Sequence, residues 1–260
     1  RFSGNCYFYF NGVFVFWVII LKKDSYNIYD PSFVKNLFNK MSSSYERMNY
    51  ITSFGFSIRW RKQFIFQFNR SQEPIKVLDL FCGMGETWGF IKERFPNSEI
   101  TALDFSEGML ESANSRNNKN FNSSVKILNE DIFANTLKNN SFDFVVCGFG
   151  LKTFNEQQLD FIAKEINRIL KPNGIFGFVE VSEPDNKLLR SLYSFYLKNL
   201  IPILGKMFLG NPMEYKMLWK YTEDFKNAKN SAEIFKSNNL QTSYQEYFFG
   251  CATGIFGRKL

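Results

Sequence analysis

The sequence contains no histidine. That removes the side chain most often used as a general base near neutral pH, and the commonest nitrogen ligand for zinc. Its four cysteines, Cys6, Cys82, Cys147 and Cys251, lie far apart with no C-x-x-C pair. Neither a zinc site nor a disulfide framework is expected, and the compartment should be reducing. No apolar run reaches the ~20 residues of a membrane-spanning helix. The stretch over 6–21 is shorter, is broken by Asn11 and Gly12, and is followed by Lys22 and Lys23. It lacks a small-residue cleavage site, which argues against a signal peptide. The open readings for residues 1–30 are a membrane-touching anchor, an extra strand, or upstream sequence translated by mistake. A clustered basic stripe is also missing, so the net charge of +7 and pI near 9.1 permit nucleic acid or anionic lipid without choosing between them.

What is present is a chain of 260 residues, 45% hydrophobic and 18% aromatic, long enough for one large α/β domain with a buried core. From residue 76 onward strand and helix patterns alternate, the signature of a parallel sheet covered on both faces. Strands are expected over 76–81, 99–104, 125–129, 142–148 and 175–181. Helices are expected over about 86–95, 107–117 and 157–170, the second capped by Ser106 and the third stopped by Lys171-Pro172-Asn173-Gly174. Residues 186–225, interrupted at Pro202, Gly205, Gly210 and Pro212, read as two or three inserted helices forming a lid. A helix near 228–238 and runs at 241–249 and 252–258 read as a closing antiparallel hairpin.

Candidate ligand-binding residues fall at the carboxyl ends of these strands, where open α/β sheets bind ligands. Lys76-Val-Leu-Asp-Leu-Phe-Cys-Gly-Met-Gly reads as a buried strand turning through a glycine loop into a helix. Gly83 and Gly85 let the backbone approach a ligand, and the free N–H groups of the helix point at it. With Phe81 at the first-glycine position and no phosphate-gripping Lys-Ser/Thr, the loop matches neither a dinucleotide fingerprint nor a P-loop. It resembles motif I of class I S-adenosylmethionine-dependent methyltransferases. In that frame Asp79 and the Gly83-Met84-Gly85 backbone would hold the amino-acid end. Asp104 would accept both ribose hydroxyls, Asp131 and the Ile132 backbone would read the adenine edge, Phe105 and Met109 would flank its faces, and Gly148 would border the sulfonium.

A more specific resemblance begins at Leu37-Phe38-Asn39-Lys40-Met41-Ser42-Ser43-Ser44-Tyr45-Glu46-Arg47-Met48-Asn49, followed by Ser53-Phe54-Gly55 and Trp60-Arg61. These segments resemble the N-terminal signature of the ubiquinone/menaquinone C-methyltransferase (UbiE-type) family. Asp104-Phe105-Ser106-Glu107-Gly108-Met109-Leu110, Phe149-Gly150-Leu151-Lys152, Leu170-Lys171-Pro172-Asn173-Gly174 and Gly254-Ile255-Phe256-Gly257-Arg258-Lys259 resemble it in the same order. The resemblance spans 33–260. It implies a Rossmann-like class I methyltransferase fold over 31–260, with a seven-stranded, mostly parallel sheet, a C-terminal antiparallel hairpin and a helical substrate cover over 31–70. It also implies methyl transfer from S-adenosylmethionine to a ring carbon of a prenylated quinol. In the matched positions Tyr45 would hold the ring hydroxyl or a water, and Lys152 would offset developing negative charge.

This chain departs from the family pattern at Glu46 (usually Asp), Lys152 (usually Arg), Ser57 (often His) and Tyr215–Tyr221. These departures are expected on the substrate side. Another phenolic, lipid-like or polyketide-derived acceptor, or a non-catalytic nucleoside-binding module, therefore stays open. Nucleic acid is not expected as a substrate, since Gly148-Phe149-Gly150-Leu151 replaces the Asn/Asp-Pro-Pro-aromatic loop of amino-methylating enzymes. No metal is expected, an oligomer is left open, and the expected location is the cytoplasm, with contact at the inner membrane face.

Overall fold

The computed structural model describes residues 27–201, 203 and 212–260. The apolar stretch over 6–21 and part of the insertion over 186–225 lie outside these residues. Three helices come first, α1 (Pro31–Met41), α2 (Tyr45–Thr52) and α3 (Phe56–Phe66). The alternating part follows as β1 (Lys76–Leu80), α4 (Trp88–Arg94), β2 (Glu99–Asp104), α5 (Glu107–Asn120), β3 (Lys126–Asn129), β4 (Phe142–Gly148), α6 (Glu156–Ile169) and β5 (Leu170–Val181). After it come α7 (Lys187–Phe195), which runs on into a π-turn over Tyr196–Leu200, then α8 (Pro212–Phe225), α9 (Lys229–Ser237), β6 (Leu240–Tyr247) and β7 (Ala252–Lys259).

The strands form one seven-stranded sheet in the order β3-β2-β1-β4-β5-β7-β6, parallel except where β7 runs antiparallel between β5 and β6. Alternation along each strand sends neighbours to opposite faces. Val77, Phe144, Val146 and Val179 pack with Trp60, Phe64, Trp88 and Ile91 under α3 and α4. Leu78, Leu80, Val145 and Phe178 pack with Leu159, Ile162, Ile166 and Phe235 under α6 and α9. A third cluster, with Val34, Leu37, Met41, Tyr45, Met48, Met109 and Tyr221, seats α1 and α2 over the carboxyl ends of the strands.

The expected elements are present, with differences at their ends. Phe81, read as the last residue of the first strand, has left it with φ +55°, so the turn starts one residue early. The first crossover helix begins at Trp88 rather than near 86, because Gly83 and Gly85 hold the chain in left-handed turns until then. The third begins at Glu156 behind a full capping box, Asn155 with Gln158. Lys171-Pro172-Asn173-Gly174 does not separate that helix from the next strand. Leu170 already pairs with Phe142, and the chain bulges through Asn173, φ +62°, before pairing again at Ile175.

Glycine enables the close packing of β7. A Cβ at Gly257 would run into the backbone carbonyl of Gln241 on β6 and come within 3.0 Å of the Phe176 ring on β5. Both obstacles are held by the sheet. Gly257→Ala is therefore expected to destabilise the fold by about 3 kcal/mol, the upper part of the usual overpacking range. Chemical denaturation measures this, and an unchanged midpoint would show that β6 can yield.

Candidate functional site

The ligand end of the sheet is organised around Asp104, the last residue of β2. Its carboxylate is buried, and Oδ2 accepts the Gly83 N–H at 2.8 Å while Oδ1 accepts the Ser106 N–H at 2.9 Å. Burial raises its pKa, against the pull of the backbone donors at Ser106, Gly83 and Phe105. Each carboxylate oxygen keeps a further lone pair. The helix that follows is capped by Ser106, so Asp104 is not itself the cap.

Two narrow lobes that share Val34, Phe81, Phe105 and Phe154 in their walls lie beside it. The first, about 50 Å³, includes Tyr45, Arg61, Phe81, Gly83, Asp104, Phe105, Met109 and Gly148 in its wall. The second, about 20 Å³, is walled by Phe81, Phe105, Asp131, Ile132, Phe133 and Phe154. Asp131 turns its Oδ1 back to the Phe133 N–H at 3.0 Å, which fixes the loop after β3. Phe81, at a left-handed backbone position, stacks on Phe154 with ring centroids 4.8 Å apart. Both lobes are far below the ~300 Å³ at which ligand pockets usually begin. Val34 of α1 borders both lobes, and Phe38 and Tyr45 border the first. Helix α1 is latched. Asn39 Oδ1 accepts from Ser106 Oγ at 2.7 Å and the Gly108 N–H at 3.0 Å, and Lys35 meets Glu107 at 2.5 Å.

Two residues of the glycine motif, Met84 and Asp79, lie outside both lobes. The Met84 carbonyl accepts Arg116 Nε at 2.8 Å and its side chain borders an outer groove. Asp79 is sealed beneath the loop, with neither carboxylate oxygen in hydrogen-bonding geometry. Burial pushes its carboxyl up to about 8, with the nearby Trp88 indole and Arg61 pulling it down less strongly. Trp88 Nε1 also lacks a well-aligned partner, so its influence is that of a neighbouring dipole. A buried carboxylate with no donor beside a glycine loop suits a ligand bearing a cationic ammonium, as S-adenosylmethionine does. With Asp104 available to a ribose and the aromatic lobe to a base, the residues present fit that cofactor.

A second cavity, about 90 Å³, adjoins the first and shares Tyr45 and Phe149 with it. Its lining is mostly apolar, including Trp60, Tyr193, Leu197 and Leu218. Lys152, in the turn Leu151–Thr153 after β4, is not the solvated loop charge it could have been. It is buried there, with Nζ 3.0 Å from Oε1 of the fully buried Glu180 near the end of β5. Glu180 also accepts the N–H groups of Val181 and Lys152, at 2.8 Å and 3.2 Å. The Tyr45 hydroxyl is pushed well up by burial and by Glu86, against the Asn49 hydrogen bond and Arg61, so it stays neutral. Burial likewise raises the Cys82 and Cys147 thiols well above the ordinary range, so neither is a ready nucleophile.

Arg61, Glu86, Phe149 and Glu180 are the residues that sequence reasoning did not assign to the site. Buried Arg61 pairs with Glu86 at 3.1 Å and lies over the Phe149 ring at 4.4 Å. Arg61 was visible inside the N-terminal signature, Glu86 follows the glycine loop, and Glu180 is an acid at a strand's carboxyl end. Each carried a positional signal, but nothing in the sequence showed that they meet. Of the departures assigned to the substrate side, Lys152 and Ser57 do line the second cavity. Glu46 does not, since it reaches outward to Arg116 at 2.7 Å.

Comparison with known proteins agrees with this geometry. A family model described as the ubiE/COQ5 methyltransferase family matches residues 23–259. The demethylmenaquinone methyltransferase of Lactococcus lactis is 33% identical over 228 residues, covering 87% of this chain and 89% of that protein. Its counterpart in Lactiplantibacillus plantarum is 32% identical over 229 residues, covering 87% and 95%. Among solved structures, a SAM-dependent methyltransferase from Thermotoga maritima aligns with a TM-score of 0.61 at 16% identity, covering 86% of this chain and 99% of that one. The Haemonchus contortus phosphoethanolamine N-methyltransferase 2, in complex with S-adenosyl-L-methionine, aligns at 0.58 and 15% identity, covering 85% and 60%. These structures speak for the fold, and the sequence matches speak for more: the chain is an S-adenosylmethionine-dependent methyltransferase and belongs to the ubiE/COQ5 methyltransferase family.

Proposed function

We propose that the chain methylates a ring carbon of a prenylated quinol, a demethylmenaquinol or a ubiquinol precursor. The observation that carries this reading is the shared wall. Tyr45 and Phe149 border both the nucleoside lobe and a mostly apolar cavity lined by Lys152, which pairs with the buried Glu180 behind it. The names of the relatives point to the same acceptor. S-adenosylmethionine supplies an electrophilic methyl group on sulfur. The chain's own residues would place the acceptor carbon in line with it, which is most of the catalytic task. Tyr45, neutral at working pH, would hold the ring hydroxyl or a water by a hydrogen bond. Lys152, steadied by Glu180, would offset the negative charge that grows on the ring oxygen as its proton leaves. Helices α1–α3 would then act as the substrate cover, and α7 and α8 as its second wall.

Another phenolic or lipid-like acceptor remains the second reading, favoured by one observation. Ser57, on the acceptor cavity where relatives often carry histidine, is tied to Ser53 Oγ at 3.0 Å and offers no basic nitrogen. Mass spectrometry decides between the readings. With S-adenosylmethionine and a reduced short-chain demethylmenaquinol, one methyl is expected on the quinol ring. Transfer only to other phenols would establish the second reading.

The ion pair gives a prediction that separates structure from chemistry. Lys152→Met alone leaves Glu180 buried and unpaired, at an expected cost of about 3–5 kcal/mol. Adding Glu180→Leu should recover most of that stability, while kcat stays down by about 10²-fold and cofactor affinity is nearly kept. A stable double variant with full turnover would remove the pair from catalysis.

Asp79 gives a pH prediction. Its folded-state value, about 8, lies above the ordinary carboxylate value, so its neutral form favours the fold. That contribution is complete below the unfolded value near 4 and is lost as pH rises through about 8. Stability of the cofactor-free protein should therefore fall across this window, and Asp79→Asn should flatten the slope. A cationic ammonium arriving nearby should draw the proton off Asp79. Calorimetry at pH 7 in buffers of different ionisation enthalpy is expected to show proton release on cofactor binding, absent in the Asn variant. Equal heats in all buffers would show that Asp79 is already ionised.

A further inference from the structure

Large aromatic side chains stand exposed at two turns whose backbone disfavours them. Phe54, between α2 and α3, has φ +50° and is 77% exposed. Phe248 and Phe249, between β6 and β7, have φ +45° and +56°, and Phe249 is also 77% exposed. A left-handed backbone suits glycine or asparagine, and a bulky residue there is an outlier. Water exposure of the rings adds nothing to folding. The two tips belong to one surface. Phe54 lies against Tyr196 at 5.8 Å between ring centroids, and Phe248 against Phe56 at 4.4 Å. A Cβ on Gly250 would touch Pro184, just ahead of α7, at 3.2 Å.

Helix α7 continues this surface. Leu189 and Tyr193 turn inward onto the core, while Leu188, Leu192 and Phe195 follow helical spacing on the outer side and are exposed. Charge on these segments has one sign. Residues 186–200 carry Lys187, Arg190 and Lys198 and no acid; residues 47–62 carry Arg47 and Arg59 besides Arg61, which is buried against Glu86, and Lys62, which pairs with Glu93 at 3.3 Å. Of the nearby acids, Asp185 pairs with Lys229 at 2.7 Å, Glu246 accepts the Tyr244 hydroxyl at 3.0 Å, and Glu183 accepts the Ser194 hydroxyl of α7 at 3.5 Å. The same segments supply the acceptor cavity with Thr52, Ser53, Tyr193 and Leu197.

We infer that this face seats the protein on an anionic lipid surface. Phe54, Phe249 and the outer side of α7 enter the headgroup boundary, and Arg59, Lys187 and Lys198 lie among the lipid phosphates. Aromatic tips, an amphipathic helix and an excess of basic over acidic residues are the combination such a surface selects. A surface for a second copy of this basic chain would bring like charges together. The docking places the acceptor cavity at the membrane, so a prenyl-tailed quinol enters from lipid without crossing water. That last step rests on the quinol reading, whereas the docking itself does not.

The test uses the full chain and phosphatidylcholine vesicles with or without phosphatidylglycerol, read by co-sedimentation. Phe54→Asn with Phe249→Asn replaces both tips by a residue that accepts the left-handed backbone, so the variant should melt no lower than the parent. The parent is expected to bind the anionic vesicles and to release them at high salt. The variant should bind them about tenfold more weakly and yet keep turnover on a water-soluble, short-chain quinol. Arg59→Gln with Lys187→Gln should lose the preference for anionic lipid. Equal vesicle binding by parent and Asn variant overturns the inference. So does a parent that ignores vesicles and instead forms dimers that the Asn variant cannot form. Vesicle binding by a parent that methylates no quinol supports the docking and refutes the quinol reading, which keeps the two failures apart.

Discussion

The buried carboxylate of Asp104 ties the ligand end of the molecule together. One oxygen holds the glycine loop after β1 through Gly83, and the other holds the start of α5 through Ser106. Cys82 donates to the carbonyl of the neighbouring Leu103 at 3.1 Å, so the loop is fastened to β2 by backbone as well. Ser106 and Gly108 in turn take the Asn39 latch of α1. The chain from sheet to loop to cover therefore passes through one acid, whose burial is tolerable because each oxygen has a donor. Asp79, one strand away, has no such donors, and the contrast separates an acid that organises this end of the sheet from one left without a partner.

Much of the architecture was legible because its signals are local. Strand alternation, Ser106 as a cap, and proline and glycine as breaks are properties of a few adjacent residues. Asp104, Phe105, Met109, Asp131 and Gly148 were legible as candidates because the ends of parallel strands must come together. The encounters across the chain were not legible. Arg61 meets Glu86 and Phe149, and Lys152 meets Glu180, only because α3 crosses the sheet and β4 lies beside β5. Glu46 failed for a related reason, since adjacency to a motif does not fix where a side chain turns. The bulge after Leu170 shows the limit of punctuation signals, because a sheet with a free pairing position can carry a strand through a proline.

Strain is unevenly spread. Phe81 and Phe149 hold left-handed backbones beside the cofactor lobes, and Phe54, Phe248 and Phe249 do so at the rim around α7. At ~1–2 kcal/mol each, such positions persist only where packing or function opposes their relaxation. For Phe81 the compensation is visible in its stack on Phe154, and for Phe149 in the Arg61 guanidinium over its ring. Phe248 has a comparable contact with Phe56 at 4.4 Å, but Phe54 and Phe249 stay 77% exposed, which is why these two point to something outside the molecule.

The short helix α2 has a consequence in time. Its first residue, Tyr45, closes the nucleoside lobe, and Asn49 and Thr52, one and two turns on, line the acceptor cavity. One rigid rod thus roofs both compartments, and lifting it to exchange the nucleoside dismantles the neighbouring room as well. An acceptor already seated would block that movement or be lost by it. Turnover should then run in a compulsory order, with the nucleoside first to arrive and last to leave, a kinetic grammar written by eight residues of helix.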